Sequence, residues 1–471
     1  IPSTGDPLGR TADVNFTNGY FNITTSNPNN LPVVTGTTTV IDGRTQTAYT
    51  GNTNSGAVGS GGMGVGTSNT SLPTFNRPEI ELYSATGDVL KLNGTNIIIR
   101  EIAIRANNNA GIIVEGGSAT ITQNSLGSDA RGNASGNIDY GIEVIGGETI
   151  IDGNYIANNT DEGILVSGGT STIIQNNHIT DNGSSACFDN IKISAGSGIV
   201  IQQNLIDRAA SLGIDGTGFT GEITITDNTI TNSGQDGGNC TGTEANVGIR
   251  LDGSNSSISS NIIAFNGGAG IVLGGGDTSG NLISRNSIYA NGTSGSALGI
   301  DLDASDSMGD GVTINDLDDS DNGPNGGANF PVITGVFVSG ANLVIEGWSR
   351  PGATIELFAT DINEGTANVG DNTLGKTYDY GEGQRYLNTM LEGSVSDLDS
   401  GVSTYTDDDN NTDNTNKFKF RIPLPTGIVL GNTVTTTSTL ANSTSEFSPL
   451  SVVKTYTVIT NRRITYRVKS N

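Results

Sequence analysis

Four aspartates in the run NDLDDSDNG, Asp316, Asp318, Asp319 and Asp321, form the densest set of side chains able to do chemistry in this chain, with Asp301 and Asp303 a short way upstream. Carboxylates at near-alternating positions ahead of a Gly suit Ca2+, which takes about six to eight oxygen donors at roughly 2.3 to 2.6 Å. The run lacks the closing Glu of an EF-hand loop. Two readings therefore stand open: a Ca2+ ion stiffening this segment, or an unliganded, solvated hinge. A second acidic run, Thr406 to Asn414, reads as a hairpin tip and not as a site.

Other chemistry is sparse. His178 is the only histidine, so a triad or a histidine acid/base pair has no second imidazole to draw on. Carboxylate chemistry is the serious enzymatic option, since paired acids hydrolyse glycosides, and acids holding Ca2+ beside a Lys or Arg eliminate across them. Here Glu115, Glu143, Asp152, Asp161, Glu162, Asp207, Asp215, Asp227 and Asp252 are scattered singly, without a matching cluster of basic residues. They read as solvated outward side chains. Exposed aromatic platforms for sugars are limited to Tyr155 and Tyr289, and Trp348 reads as a core residue.

The elements that would have to position such groups are written in a repeated phrase. IxxNx[IL] occurs seven times, as ITQNSL, IDGNYI, IQNNHI, IQQNLI, ITDNTI, ISSNII and ISRNSI. Its asparagines, Asn124, Asn154, Asn177, Asn204, Asn228, Asn261 and Asn286, are 30, 23, 27, 24, 33 and 25 residues apart. A recurrence of that length marks a stacked repeat. Most copies follow a Gly and an alternating apolar segment (GIIVE at 111, GIEVI at 141, GILVS at 163, GIRLD at 248, GIVLG at 270), which predicts two short strands per repeat separated by Gly-rich turns. No repeat carries an amphipathic helix of about ten or more residues, so βαβ crossovers cannot join the strands. Identical strands can then stack only as a parallel β-helix, with Ile and Leu in columns and Asn turned inward at a corner to form a ladder. His178, at an x of the phrase, is expected to face outward as a solvated strand residue.

These rungs resemble the right-handed parallel β-helix (pectate-lyase-like) superfamily, in particular its periplasmic and carbohydrate-associated repeats, over about residues 75–305. The resemblance implies the fold and leaves activity open, because lyases, hydrolases, epimerases, tailspikes and adhesins share it. Residues 1–75 read as an N-terminal cap with irregular first rungs, 76–310 as the parallel β-helix and 311–328 as an acidic junction. Residues 329–455 lose the Asn phrase but keep alternation and turns, which predicts an antiparallel β-sandwich with strands at NLVIEGW, ATIELFA, KFKFRIP, TVTTTSTL and SEFSPLSVV. GWSRPGATIELF and TSEFS resemble the immunoglobulin-like modules that follow β-helices in large bacterial surface proteins. The basic tail 456–471 reads as one more strand or a connector.

Composition bounds the partners. With 22 basic against 48 acidic residues, a net charge of −26 and a pI near 4.1, nucleic acid and anionic membranes are poor partners, and no apolar run approaches the roughly 20 residues of a membrane span. Ile1 in place of an initiating Met suggests a processed or excised chain. Cys187 and Cys240 sit in long loops two rungs apart. Strands at those levels lie about 9.6 Å from each other, beyond disulfide reach, but the loops can fold together; a bridge is expected, consistent with an oxidising compartment. The sum is an expected secreted bacterial surface protein, a stalk or display face for adhesion or assembly, whose partners are other surface or secretion-machinery proteins or cell-surface polysaccharide. The competing reading is a polysaccharide lyase or glycoside hydrolase.

Overall fold

A computed structural model describes residues 13–25, 31–106, 109–137, 139–184, 187–235, 240, 246–294, 297–302, 312–317, 322–360, 380, 382–406 and 412–456. Three parallel sheets wind into one coil. Sheet 1 holds the nine strands of the GIxI segments, from Leu90–Leu92 to Ile300–Leu302. Sheet 2, also nine strands, carries the first half of each Asn phrase, and eleven-stranded sheet 3 carries the second half, ending at Ser287–Tyr289. The chain visits them in that order on every turn.

Register follows the predicted columns. Ile99, Ile121, Ile151, Ile174, Ile201, Ile225, Ile258 and Ile283 pair rung to rung along sheet 2, and Leu126, Ile156, Ile179, Ile206, Ile230, Ile263 and Ile288 along sheet 3. All of these side chains but Ile283 are fully buried, so the coil is one continuous apolar column. β-branched Ile suits the site because its stiff side chain packs flat on its equivalent one strand spacing away.

The seven phrase asparagines form a ladder at the corner between sheets 2 and 3. The first six each donate their backbone N–H and Nδ2 to the Oδ1 of the next rung's Asn, and the Nδ2 of all seven reaches the Ile carbonyl of the rung before, all at 2.8–3.1 Å. The residue ahead of each Asn is left-handed: Gln123, Gly153, Asn176, Gln203, Asp227, Ser260 and Arg285 have φ of 54–65°. Only one is Gly. That backbone costs a side-chain-bearing residue about 1–2 kcal/mol, and the amide bonds offset it.

A second ladder follows the first, five residues after the phrase Asn at Asn159, Asn182, Asn266 and Asn291. Asn137, Asn159 and Asn182 are linked through their side-chain amides, as are Asn266 and Asn291 further along. Ala209 occupies the equivalent place in the rung between, and Ser233 donates its N–H to Asn266 Oδ1 at 3.0 Å.

The N-terminal residues do more than begin the coil. Tyr20–Thr25 and Val40–Asp42 extend sheets 3 and 2 at their first rung. Residues 57–76, expected as part of a cap, instead make a two-stage hairpin arm that lies lengthwise on the outer face of sheet 3. Its glycines are explained by close approach. A Cβ on Gly59 (φ +61°) would stand 2.6 Å from the His178 ring, and one on Gly66 (φ +64°) 2.5 Å from the Asp227 backbone.

The sandwich has nine strands from Val332–Ser339 to Ser451–Thr455, antiparallel except where 451–455 runs beside 332–339. Its core is Val336, Leu343, Ile345, Ile355, Leu357, Phe418, Phe420, Val434 and Val453. Trp348 is not in it. Alternation along 342–349 sends Leu343 and Ile345 inward and leaves Trp348 half-buried outside, under Lys417 Nζ at 5.1 Å and beside Tyr405. SEFSPLSVV is a strand only from Ser451; Glu446 and Phe447 leave the sheet to cap the coil.

We expect Asn177→Ala to lower unfolding stability by about 3 kcal/mol or more, because two buried donors of Asn154 lose their acceptor, whereas outward-facing Thr224→Ala should stay within about 0.5 kcal/mol. Denaturant midpoints measure both. Equal, small losses would deny the ladder any structural weight.

Candidate functional site

Two outward columns on sheet 1 gather the titratable groups of the flank. Side chains at the centre of the GIxI strands stack as Glu143, Leu165, Lys192, Asp215, Arg250, Val272 and Asp301. The residues entering the strands stack beside them as Tyr140, Glu162, Asp189, Leu212 and Val247, linked by N–H···O bonds between rungs. The expectation of singly scattered acids is thereby corrected for Glu162 and Asp215. They share one patch with Asp189, which the sequence reading passed over, and with Lys192, Arg250 and Asp252.

Each carboxyl there has its own environment. Asp215 is ion-paired to Lys192 and accepts from the Thr217 N–H at 2.7 Å. Burial alone would raise it, but Lys192 and Thr217 hold it below the usual carboxylate range. Asp189 accepts the Leu212 N–H at 2.8 Å, and burial with the neighbouring Asp215 charge pushes it well up. Burial pushes Glu162 up to about 7, with the Asp161 charge adding to it. Glu162 Oε2 has no hydrogen-bond partner among the described residues. Arg250 Nε lies 3.3 Å from Asp252 Oδ1.

This arrangement can store protons, yet Glu162, Asp189, Asp215 and Arg250 are only 6, 4, 6 and 3% exposed. A substrate atom has no open approach to them. Cys187 and Cys240 are bonded, with Cα atoms 5.2 Å apart, so the two long loops that lead into Lys192 and Arg250 are tied together.

On sheet 3 the arm reverses the expectation for His178. Its side chain does point out of the coil, but the arm covers it: the Ser60 N–H donates to His178 Nδ1 at 3.0 Å, and only 6% of the residue is exposed. Burial holds the imidazole down at about 4. Val58, Val65, Leu72 and Phe75 of the arm pack against Leu205 and Tyr155. Further along, Gly66 N–H donates to Thr229 Oγ1 at 3.0 Å, Ser68 Oγ to Asp227 Oδ2 at 2.7 Å and Thr67 N–H to the Ser260 carbonyl at 2.9 Å.

Beyond the arm's tip the outer face reopens into two adjoining grooves of about 550 and 570 Å³. The first lies between the tip (Gly66, Thr67, Asn69), the last rungs (Ser260, Ile262, Arg285) and the sandwich edge (Gln384, Arg385, Tyr386). The second shares Ser287, Gln384 and Arg385 with it and continues past Tyr289 to Thr360 and Asn432.

Of the proposed Ca2+ ligands, Asp318, Asp319 and Asp321 lie outside the described residues, as do Asp303 and the tail beyond Tyr456. Among the described residues no group of three or more His, Cys, Asp or Glu side chains is placed to hold a metal ion. The acidic junction is tied down at several points: Asn315 Nδ2 donates to the Phe330 carbonyl at 2.8 Å, the Asp316 N–H donates to Asn329 Oδ1 at 2.9 Å, and the Thr313 N–H donates to Glu446 at 3.0 Å.

A family model described as a right-handed beta helix region matches residues 88–250. The match falls on the stacked rungs and agrees with the parallel coil seen there. Fold shared with both surface proteins and polysaccharide-active enzymes does not choose a function.

Glu162→Gln provides a pH test of the buried patch. With the folded carboxyl at about 7 and an ordinary value of 4.5, the folded state binds more protons than the unfolded one between those values, so this group's contribution falls as pH rises. Relative to wild type, the variant should gain up to roughly 3 kcal/mol between pH 4.5 and 7. Thermal melts across that range measure it; a difference independent of pH would mean Glu162 is not held protonated.

Proposed function

We propose that this chain is a secreted bacterial surface protein whose coil serves as a rigid stalk and display face, joined to an immunoglobulin-like module and engaged in adhesion to cell-surface polysaccharide or in an extracellular assembly. The observation that carries the reading is the way the sandwich closes the coil. An open last rung leaves unpaired strand edges that invite aggregation. Here Glu356 accepts from Ser284 Oγ and the Arg285 N–H at 2.7 and 2.9 Å, and Glu382 accepts from the Asn291 Nδ2 and N–H at 2.8 and 3.2 Å. Asn325 takes the Asn281 N–H at 3.0 Å, and Glu446 takes that of Leu302 at 3.0 Å. Phe358 and Phe447 lie over the end of the apolar column. Coil and sandwich are thus bonded to one another at the coil's last rung, which suits a spacer that must hold a binding face away from a cell.

The hydrolase or lyase reading draws on the buried carboxyls around Glu162, and their closure counts against it. One comparison separates the two. Incubated with neutral and acidic polysaccharides, with and without EDTA, the protein should be retained on at least one immobilised polysaccharide without shortening it. Reproducible release of reducing ends or unsaturated uronates would overturn the surface reading. Surface labelling of intact cells of the encoding bacterium should find the chain outside; a cytoplasmic location would also reject it.

A further inference from the structure

We infer that the paired grooves between arm tip, coil flank and sandwich bind a short acidic glycan, a sugar chain carrying carboxylate or sulfate groups, with Arg285 and Arg385 as the anion contacts. This deepens the polysaccharide-adhesion reading above and rests on it for its biological setting.

The argument begins with the corner column outside the ladder. Asp227 and Ser260, two successive left-handed residues ahead of ladder asparagines, are both taken by the arm through Ser68 and Thr67. Arg285 is the next member of that column, and the arm stops short of it. Its side chain is 61% exposed and lies 4.0 Å from Glu356 Oε1, at the outer limit of an ion pair. Both Glu356 oxygens are already engaged, by the Ser284 hydroxyl and by the Arg285 backbone N–H. The guanidinium sits 5.4 Å from the Tyr386 ring centroid, which orients its donor edge without consuming it.

Arg385, at the sandwich side, is aimed by one bond from its Nη1 to the Thr426 carbonyl at 2.7 Å and forms no ion pair among the described residues. In a chain of net charge −26, two guanidinia line a common groove, one paired with a carboxylate only at the outer limit of distance and the other with none among the described residues. Guanidinium is the side chain suited to two-point binding of carboxylate or sulfate.

The remainder of the lining suits a sugar. Tyr386 and Tyr289 offer ring faces or edges, and Asn69 and Ser287 offer amide and hydroxyl groups for ring hydroxyls. Each groove falls in the roughly 300–1,000 Å³ range of small-ligand sites, and the shared Ser287, Gln384 and Arg385 make them consecutive subsites. The overall negative charge does not forbid this. At physiological salt, charges beyond about 8 Å are largely screened, so contacts inside the groove decide; a long polyanion such as nucleic acid would instead meet the acidic remainder of the surface.

The test is calorimetric titration of the full chain with oligouronates, sulfated oligosaccharides and neutral oligosaccharides of equal length. At least one acidic series should bind, its neutral counterpart at least about tenfold more weakly. Arg285→Ala and Arg385→Ala should each weaken binding about tenfold or more, and the double variant should abolish it, with an unchanged melting temperature showing that the fold is intact. Equal binding of acidic and neutral chains, undiminished binding by the double variant, or no binding to either acidic series would overturn the inference. If the double variant still adheres to polysaccharide as wild type does, the adhesion reading survives and this groove is not its site.

Discussion

The amide side chain of asparagine, placed at one corner of every rung, is the constraint on which the molecule depends. Backbone N–H groups at a corner have no strand partner, and in a buried corner an unpaired donor costs about 1–3 kcal/mol. Asn supplies an acceptor for its neighbour's backbone N–H and side-chain amide with one oxygen, while its own amide nitrogen reaches back to an Ile carbonyl. The same bonds hold the preceding residue left-handed, so Gln203 and Arg285 tolerate a backbone usually left to Gly. Rung-to-rung register follows, since a slip of one residue would turn the Ile columns outward and the amides away from one another.

Where the second ladder ends, a carboxylate continues it, and another amide closes the corner that leads into sheet 2. Asn291 is followed by Glu382 and Asn281 by Asn325, both supplied from outside the regular rungs. The sandwich therefore does for the last rung what the next rung would have done. Glu446 shows the tension in this solution: burial and the nearby Asp301 carboxylate push it well up, while bonds from Leu302 and Thr313 pull the other way. The junction between the two parts is accordingly a bonded seam, and the groove beside it keeps a defined shape.

What was legible in the sequence was whatever one rung demands of itself. Ile and Asn in IxxNx[IL] answer local requirements of column and corner, so coil, ladder and order of folds could be read directly. The second ladder obeys the same logic at Asn159, Asn182, Asn266 and Asn291, five residues after phrase asparagines, but Ala209 and Ser233 interrupt it and it escaped notice. The flank was less legible. Glu162, Asp189, Lys192 and Asp215 meet only because rungs of unequal length stack, so their proximity appears in register and not in spacing. His178 was misjudged for a different reason: its outward direction was read correctly, and the arm that covers it comes from more than 100 residues upstream. Trp348 was assigned to the core, although the alternation of Leu343 and Ile345 beside it placed it outside.

Hydrogen exchange at the corners tests the central claim most directly, because these residues belong to turns by position and to the core by bonding. Residue-resolved exchange by fragmentation mass spectrometry should find the backbone amides of Asn154, Asn177, Asn204 and Asn228 as slow as those of the buried strand residues Ile174 and Ile201, opening only with the coil as a whole. Exchange of those corner amides at the rate of exposed loops, with the strands still protected, would contradict the account.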